Sequence, residues 1–563
     1  MKQYRLYLVL LFALLLIIGC AKKESISWFS SGTEGIIASG NEQATRAGIR
    51  ILKQGGNAAD ASVATLLALS IKTVGAFCIG GEVPFMYYDT ETGKVTVLNG
   101  QGGAPLDKKA IEWYYENGIP GGDIKSAAVP AVVDLCVTAL QKFGTMSFEQ
   151  AANPSLEILD AGGPKWYRDT GSGDTIRTDR NWYADLAVTF RKLVEAEKTA
   201  EGTREEKLQA VSDRFYRGDI ADDLVNWYKE LGGFLRKRDL AAHKTRIEEP
   251  VTSEYRGYTI CKCGPWTQGP YLLQTMRLLE GYDLTSMGRT SADYIHTVTE
   301  AMKLALADRD EYYGDPEYTD VPLDALLSDK YTKIRRSLID HNKASGKIRP
   351  GDPYRMRALR QGGGRAIQAL GGTTICVVAD KQGNVVAATP SGLSSTAGFG
   401  GSTGVIHGSR LVISNTWKGH PNSIEPGKRP RTTLTPTIVL KDGQPVLAIS
   451  VAGGDMQDQA AIQLISNFVD FDMNIKNTYT AKRFSTRHFI GSFGQGRPRI
   501  NSLRVHESIP KEVIDELEKR GHTISTTKGN VGGVAMLYLE QDEELMHAVG
   551  GRCQCVEPVK TDN

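Results

Sequence analysis

The sequence predicts an α+β protein in which antiparallel hairpins and helices follow one another without a dividing linker. Three stretches carry that prediction. The first is a pair of β-branched runs, 375–380 and 385–388, on either side of Lys381-Gln382-Gly383-Asn384, which reads as a hairpin. The second is a helical run at 44–53 that stops at Gly55-Gly56 and is followed by an Ala-rich helix, capped by Asn57 and reaching Leu69. Small residues on every side of that helix suit tight packing inside a core. The third is a strand at 446–451, then Ala452-Gly453-Gly454-Asp455, then an apolar-periodic helix to about Asp470.

The remaining elements fit between these. Residues 36–39 read as a short strand, and 85–88 with 95–98 as a hairpin around Thr92-Gly93. Residues 126–245 look largely helical. A strand at 258–260 leads through Gly264-Pro265 to helices at 271–279 and 292–310. Residues 411–414 read as a strand, and 435–440 pairs with 446–451 around Asp442-Gly443.

The first hairpin carries the chemistry. If Asp380 pairs with Asn384 across a three-residue loop, Thr373 falls opposite Ser391; a loop one residue longer moves the partner to Gly392. A threonine hydroxyl is a weak nucleophile until a base takes its proton. One solution makes Thr the first residue of a chain, so that its own α-amine is that base. The amine titrates at about 7.7–8.0, near working pH. Thr373 gains it only if the Gly372–Thr373 bond is cut. The Gly-rich 361–365 and Gly371-Gly372 give the freedom such a cut needs. Alone, these residues also describe an ordinary loop before an ordinary strand. Gly453 and Gly454 have the same double character. Two glycines at a helix start let N–H groups approach a developing oxyanion, yet they also make a tight strand-to-helix turn.

Other features bound the function. The 563 residues allow about four domains, but no Pro/Ser-rich stretch or acidic run divides them. The formal net charge is +2, and Lys2 and Arg5 supply that excess, which argues against a nucleic-acid partner. Residues 1–20 read as a targeting segment: Lys2 and Arg5, an apolar run, then Ile17-Ile18-Gly19-Cys20. The ending resembles a bacterial lipobox, which predicts a chain exported to the cell envelope and anchored to a membrane by lipid on Cys20. A plain secretory signal and an uncleaved anchor are the alternatives. Beyond Cys20 seven cysteines remain, an odd number that does not describe a disulfide framework. A bridge between Cys261/Cys263 and Cys553/Cys555 is open. No metal or other cofactor is expected, since no His stands at finger-like spacing. The acidic cluster Asp308, Asp310, Asp315 and Asp320 lacks EF-hand spacing and is read as a solvated helix end. Gly400-Gly401-Ser402-Thr403-Gly404 matches a hydrolase elbow in letters, but no strand precedes it and no helix follows, so it is read as a surface loop.

Taken together, the motifs resemble the γ-glutamyltransferase (γ-glutamyl transpeptidase) family of N-terminal-nucleophile hydrolases. The resemblance runs from about Gly35 to about Ile524. It rests on Gly55-Gly56-Asn57-Ala58-Ala59-Asp60-Ala61, Phe215-Tyr216-Arg217-Gly218, Gly314-Asp315-Pro316, Thr373-Thr374, the run from Gly427-Lys428-Arg429-Pro430-Arg431 to Thr432-Thr433-Leu434-Thr435-Pro436, and Gly453-Gly454. It implies a four-layer αββα sandwich made as one precursor. Self-cleavage between Gly372 and Thr373 would give a large subunit, 21–372, and a small one, 373–563, which stay associated. Thr373 would form an acyl-enzyme with a small amide substrate, Gly453 and Gly454 would hold the oxyanion, and the acyl group would pass to water or an amine. Ser391 falls where the family has a second hydroxyl that hydrogen-bonds the nucleophile.

The departures fall on substrate residues. The family's Arg-Glu-x-Ala-Pro stretch is Gln101-Gly102-Gly103-Ala104-Pro105, so the carboxylate-binding Arg is Gln101. The Asn-Asn-x-x-Asp-Asp stretch is Ser414-Asn415-Thr416-Trp417-Lys418-Gly419, without its acidic anchor, and the serine pair is Thr432-Thr433. The Asn after the second hydroxyl has no counterpart near Leu393-Ser394. Each lost charged partner forfeits about 2–5 kcal/mol. The expected function is cleavage of γ-glutamyl or similar small amide bonds. The rivals are a non-γ-glutamyl amidohydrolase like the oxamate amidohydrolases, and a non-catalytic binding lipoprotein that stays uncut.

Overall fold

The computed structural model describes residues 26–163, 166–168, 175–177, 181–360, 372–392, 398–493 and 496–556. The lipobox with Cys20, the Gly-rich 361–365, Gly371 and Leu393-Ser394 lie outside these. Thirteen strands form one curled sheet: β1 Ser27–Gly32, β2 Gly35–Ser39, β3 Val83–Asp89, β4 Lys94–Gly100, β5 Arg246–Glu248, β6 Val251–Tyr255, β7 Tyr258–Lys262, β8 Cys376–Asp380, β9 Val385–Ala388, β10 Thr437–Lys441, β11 Gln444–Ala452, β12 Gly533–Glu540 and β13 Leu545–Cys555. Their order is β5-β4-β3-β9-β8-β2-β13-β12-β11-β10-β7-β6, with β1 also on β13, and the pairings within it are antiparallel.

The sheet folds back on itself at β2 and β13, giving two facing layers. Strand alternation then sorts the cores. Val377 and Ala379 face Ala448 and Leu537 between the layers, whereas Cys376 and Val378 face outward into a helical layer. That layer contains α1 Glu42–Lys53 and α2 Ala58–Lys72, with further helices between 132 and 230. The Asn57 side chain and Asp60 close a capping box at the start of α2. The opposite layer is α3 Pro270–Leu279, α4 Ala292–Tyr312 and α5 Gln457–Val469, packed on β11 and β12. The result is the expected four-layer αββα sandwich.

Two local expectations are corrected, and the open question of the cysteines is answered. Residues Arg410–Ile413 form a 3-10 turn, not a strand. The Gly400–Gly404 stretch contains a short 3-10 turn, with Gly404 packed against Leu186, so only part of it is surface. The seven described cysteines are all free; Cys261 sits on β7 with Cys263 just past its end, and Cys553 and Cys555 sit on β13, with three strands intervening in the sheet order. Among the described residues no helix is long and apolar enough to cross a membrane, and no cluster of metal-ligating side chains is present.

Candidate active site

The hairpin has the register read from the sequence. Cys376 pairs with Ala388 and Ala379 with Val385, and Thr374 N–H donates to Pro390 C=O at 2.9 Å. The Asp380 carboxylate closes the three-residue loop by accepting from Gln382 N–H and Asn384 N–H. Extending the register by one residue puts Thr373 beside Ser391. The Ser391 hydroxyl does not reach toward Thr373's side chain, however. It donates to the carbonyl oxygen of Gly372, at 2.5 Å, on the other side of the Gly372–Thr373 peptide bond.

Ser391 is fully buried, and so are its neighbours. Its backbone exchanges two hydrogen bonds with Glu82, at 2.9 and 3.0 Å. Gly81 makes that approach possible, because a Cβ there would lie 2.3 Å from the Ser391 carbonyl oxygen. The Glu82 carboxylate is paired with Arg410, whose Nε donates to it at 2.7 Å. Arg410 Nη2 donates both to Glu82 and, at 2.7 Å, to Ser391 Oγ. Burial raises the Glu82 pKa, opposed by the charge and hydrogen bonds of Arg410. Neither residue was singled out from the sequence.

The glycine turn comes from the facing sheet layer. Ser450 on β11 donates to Ala388 C=O at 2.8 Å and lies 3.1 Å from the Thr389 hydroxyl, joining the hairpin's end to the strand that enters the turn. Gly453 has φ +147° and Gly454 φ +57°, conformations that favour glycine. Among the described residues neither N–H is given an acceptor. Phe493 lies against Gly454, where a Cβ would come within 2.9 Å of its ring. Below the turn, Lys262 Nζ donates to Asp458 at 2.8 Å, to Thr437 Oγ1 and to Thr435 C=O. Burial pushes Asp458 up to about 6 and lowers Lys262. Gln268 and Gln457 tie the turn to the Thr432-Thr433 segment. Gln268 N–H donates to Thr432 C=O and its amide reaches Gly454 C=O at 3.4 Å. The Gln457 amide bridges Thr433 C=O and Val451 C=O, each at 3.0 Å.

The expected substrate residues converge on one wall. Gln101 is buried, its amide donating to Pro430 C=O while its Oε1 has no partner among the described residues. Arg431 N–H donates to Asn422 Oδ1, and Asn415 N–H to Asn422 C=O. A cavity of about 20 Å³, lined by Asp310, Asn415, Trp417, His420, Arg431 and Ser492 among others, opens here; that is room for about one water molecule. The Thr432 hydroxyl accepts from Leu434 N–H at 3.2 Å, and the Thr433 hydroxyl is buried without a partner among the described residues.

The acidic cluster is corrected by the same wall. Asp308, Asp310 and Asp315 are buried and paired with arginines, and only Asp320 is exposed. Asp310 binds Arg309 at 2.8 Å and lies 3.5 Å from Arg431; Asp455 binds Arg309 at 2.7 Å and accepts from Ser492 Oγ at 2.6 Å. The acidic side chain beside the 414–419 stretch thus belongs to α4 and is paired with arginines. Of the two arginines on Asp310, Arg309 is its neighbour in the chain and Arg431 lies 121 residues away. Burial and the neighbouring Arg309 lower Arg431 to about 10, while burial and then Arg431 push His420 down to about 4.

A sandwich of two facing sheets between helices, with a threonine just ahead of a central strand, is the fold of an N-terminal-nucleophile hydrolase. Within that class the chain belongs to the gamma-glutamyltranspeptidase family, whose model matches residues 44–553. It is 30% identical over 545 residues to the glutathione hydrolase proenzyme of Bacillus subtilis (strain 168), covering 91% of this chain and 89% of that one. It is 28% identical over 561 residues to the acylase ACY 1 proenzyme of Pseudomonas sp. (strain SE83), covering 94% and 93%. Among solved structures, LmbA2991HD is 31% identical with a TM-score of 0.83, covering 94% of this chain and 99% of that one. The protein is an amidohydrolase-type enzyme of this family, and its curated relatives are proenzymes.

Proposed function

We propose that the chain is a self-processing threonine amidohydrolase or acyltransferase with Thr373 as nucleophile. The observation that carries this reading is the Ser391 hydroxyl aimed at Gly372 C=O, directly across the hairpin from Thr373. Thr373 Oγ1 adds to the Gly372 carbonyl carbon, the C–N bond breaks as the nitrogen takes a proton, and an ester forms. Water hydrolyses the ester, leaving a Gly372 carboxylate and a free Thr373 amine. That amine is then the general base for the same hydroxyl in turnover. Thr373 attacks the substrate's amide carbonyl, Gly453 and Gly454 N–H hold the oxyanion, the amine leaves, and water or an acceptor amine takes the acyl group.

The polar groups of Asp310, Asn415, Asn422, Arg431 and Ser492 around the water-sized cavity support an acyl group that carries hydrogen-bonding atoms. Whether that group is γ-glutamyl or smaller is decided by screening both kinds of amide. Residues 21–372 and 373–563 are the two subunits of this reading. Intact mass tests it: two fragments, the smaller beginning at Thr373, are expected, and Thr373→Ala should give one inactive full-length chain. A Thr373→Ala protein that still splits after Gly372 overturns the assignment. We also propose lipid anchoring through Cys20. Labelled fatty acid should enter the wild-type chain and not Cys20→Ser; equal labelling of both refutes the anchor.

A further inference from the structure

A guanidinium donates hydrogen bonds and accepts none. Because Arg410 Nη2 donates to Ser391 Oγ, the single proton of that hydroxyl must point elsewhere, and it points to Gly372 C=O. Arg410 is itself fixed. Glu82 accepts from its Nε and Nη2, and Glu82 is locked to the Ser391 backbone by two hydrogen bonds. The side chains of the pair are only 2% and 3% exposed. Arg410 Nη1 is buried with no partner among the described residues. A full positive charge therefore stands one hydrogen bond behind the carbonyl oxygen of the bond to be cut.

We infer that Arg410 is a positioning residue for self-cleavage: it commits the Ser391 proton to the Gly372 carbonyl oxygen and backs the oxyanion that forms there. The inference rests on Thr373 being the nucleophile. When Thr373 Oγ1 bonds to the carbonyl carbon, the C=O electron pair moves onto Gly372 O, and that negative charge faces Ser391. In a dry site a donor preset for such a charge is worth far more than in water. Once the C–N bond breaks and water hydrolyses the ester, the Gly372 carboxylate can leave. The Ser391 proton is then free to serve the Thr373 hydroxyl. The Glu82–Arg410 pair is thus tied to maturation, and its role in turnover is secondary.

The experiment follows self-cleavage of the full chain after cell-free synthesis, by intact mass against time, with thermal unfolding recorded for each variant. Arg410→Gln should slow the cut by about 100-fold, the scale for losing a preset oxyanion donor. Arg410→Lys should recover part of the rate. Arg410→Gly should be rescued by added guanidinium and not by urea, which has the same planar shape without the charge. Should a lone neutral variant fail to fold, Glu82→Gln with Arg410→Gln removes both charges together and should still cut slowly. A wild-type cutting rate in any folded Arg410 variant, or equal rescue by urea, overturns the inference. Cutting in Thr373→Ala would instead overturn the nucleophile on which it rests.

Discussion

The hairpin end and the substrate wall are built by opposite rules. At the hairpin, neighbours in space are close in sequence: one loop fixes the register, and Ser391 lies across from Thr373 because Asp380 closes a three-residue turn. At the wall, Gln101, Asp310, Asn415, His420 and Arg431 come from separate segments and meet only when both sheet layers and α4 have packed. The hairpin places the proposed nucleophile and its partner hydroxyl in a local device. The wall carries residues that differ from the family's motifs, held by hydrogen bonds from distant segments and set beside the Arg309–Asp310–Arg431 ion pairs. In the proposed function, reaction type and substrate choice fall to different parts of the chain and should be separable by mutation.

Ser391→Ala should show the largest separation. It removes the donor to Gly372 C=O and leaves Arg410 with a buried, unanswered N–H. Self-cleavage should slow by about 10²–10³, as for loss of one oxyanion donor. Stability should fall by about 1–3 kcal/mol from the unpaired group. Timed intact mass and denaturant unfolding measure the two effects. Cutting at the wild-type rate would mean that the hairpin's second hydroxyl has no part in processing.

The same contrast explains what could be read before the structure. The hairpin register, the Asn57 cap and the Val446–Val451 strand into Gly453-Gly454 depend on local turn, cap and alternation rules, and all were legible. The four-layer arrangement entered through the family motifs. Arg410 and Glu82 were not legible. Arg410 lies in a 3-10 turn that apolar Leu411, Val412 and Ile413 disguise as a strand, and Glu82 is 328 residues away. Asp308 and Asp310 were misjudged because a helix end rich in acids is usually wet. Here the compensating Arg335, Arg309 and Arg431 arrive from within α4 and from elsewhere in the chain. Burial of charge is decided by partners, and partners distant in sequence leave no local pattern.

His420→Ala should disturb the wall and leave the hairpin alone. Its Nε2–H donates to Asp310 C=O at 3.0 Å, and its Nδ1 accepts from Asn415 Nδ2 and Asn422 N–H. Removing the ring frees the Asn415 and Asn422 donors at the cavity. The expected result is a KM raised by about tenfold, the scale of one hydrogen bond to substrate lost through misplacement, with self-cleavage at the wild-type rate. Slowed self-cleavage in this variant would show that the two regions are coupled and would break the comparison.

Acid should expose a smaller and shared weakness. His407 lies near the hairpin, with Nδ1–H donating to Val405 C=O and Nε2 accepting from the Tyr228 hydroxyl. Like His420, it is pushed down to about 4 chiefly by burial. In the unfolded chain each titrates near about 6.5. The folded state therefore binds fewer protons than the unfolded one as pH falls below that value, and stability is lost between about 6.5 and about 4. Full protonation would cost about 3 kcal/mol for each ring. Asp458 works the other way. Raised to about 6 by burial, it stabilises the folded state as it gains a proton over much the same range. His243, His488 and His522 are pushed down too, to about 4, 3 and 3, so the buried imidazoles outweigh Asp458; Tm should fall on acidification through this window, and His420→Gln should shrink the fall by removing one of them. A Tm that holds steady or rises from pH 6.5 to 4 would mean that Asp458 governs, placing the acid response beneath the glycine turn that joins the two regions.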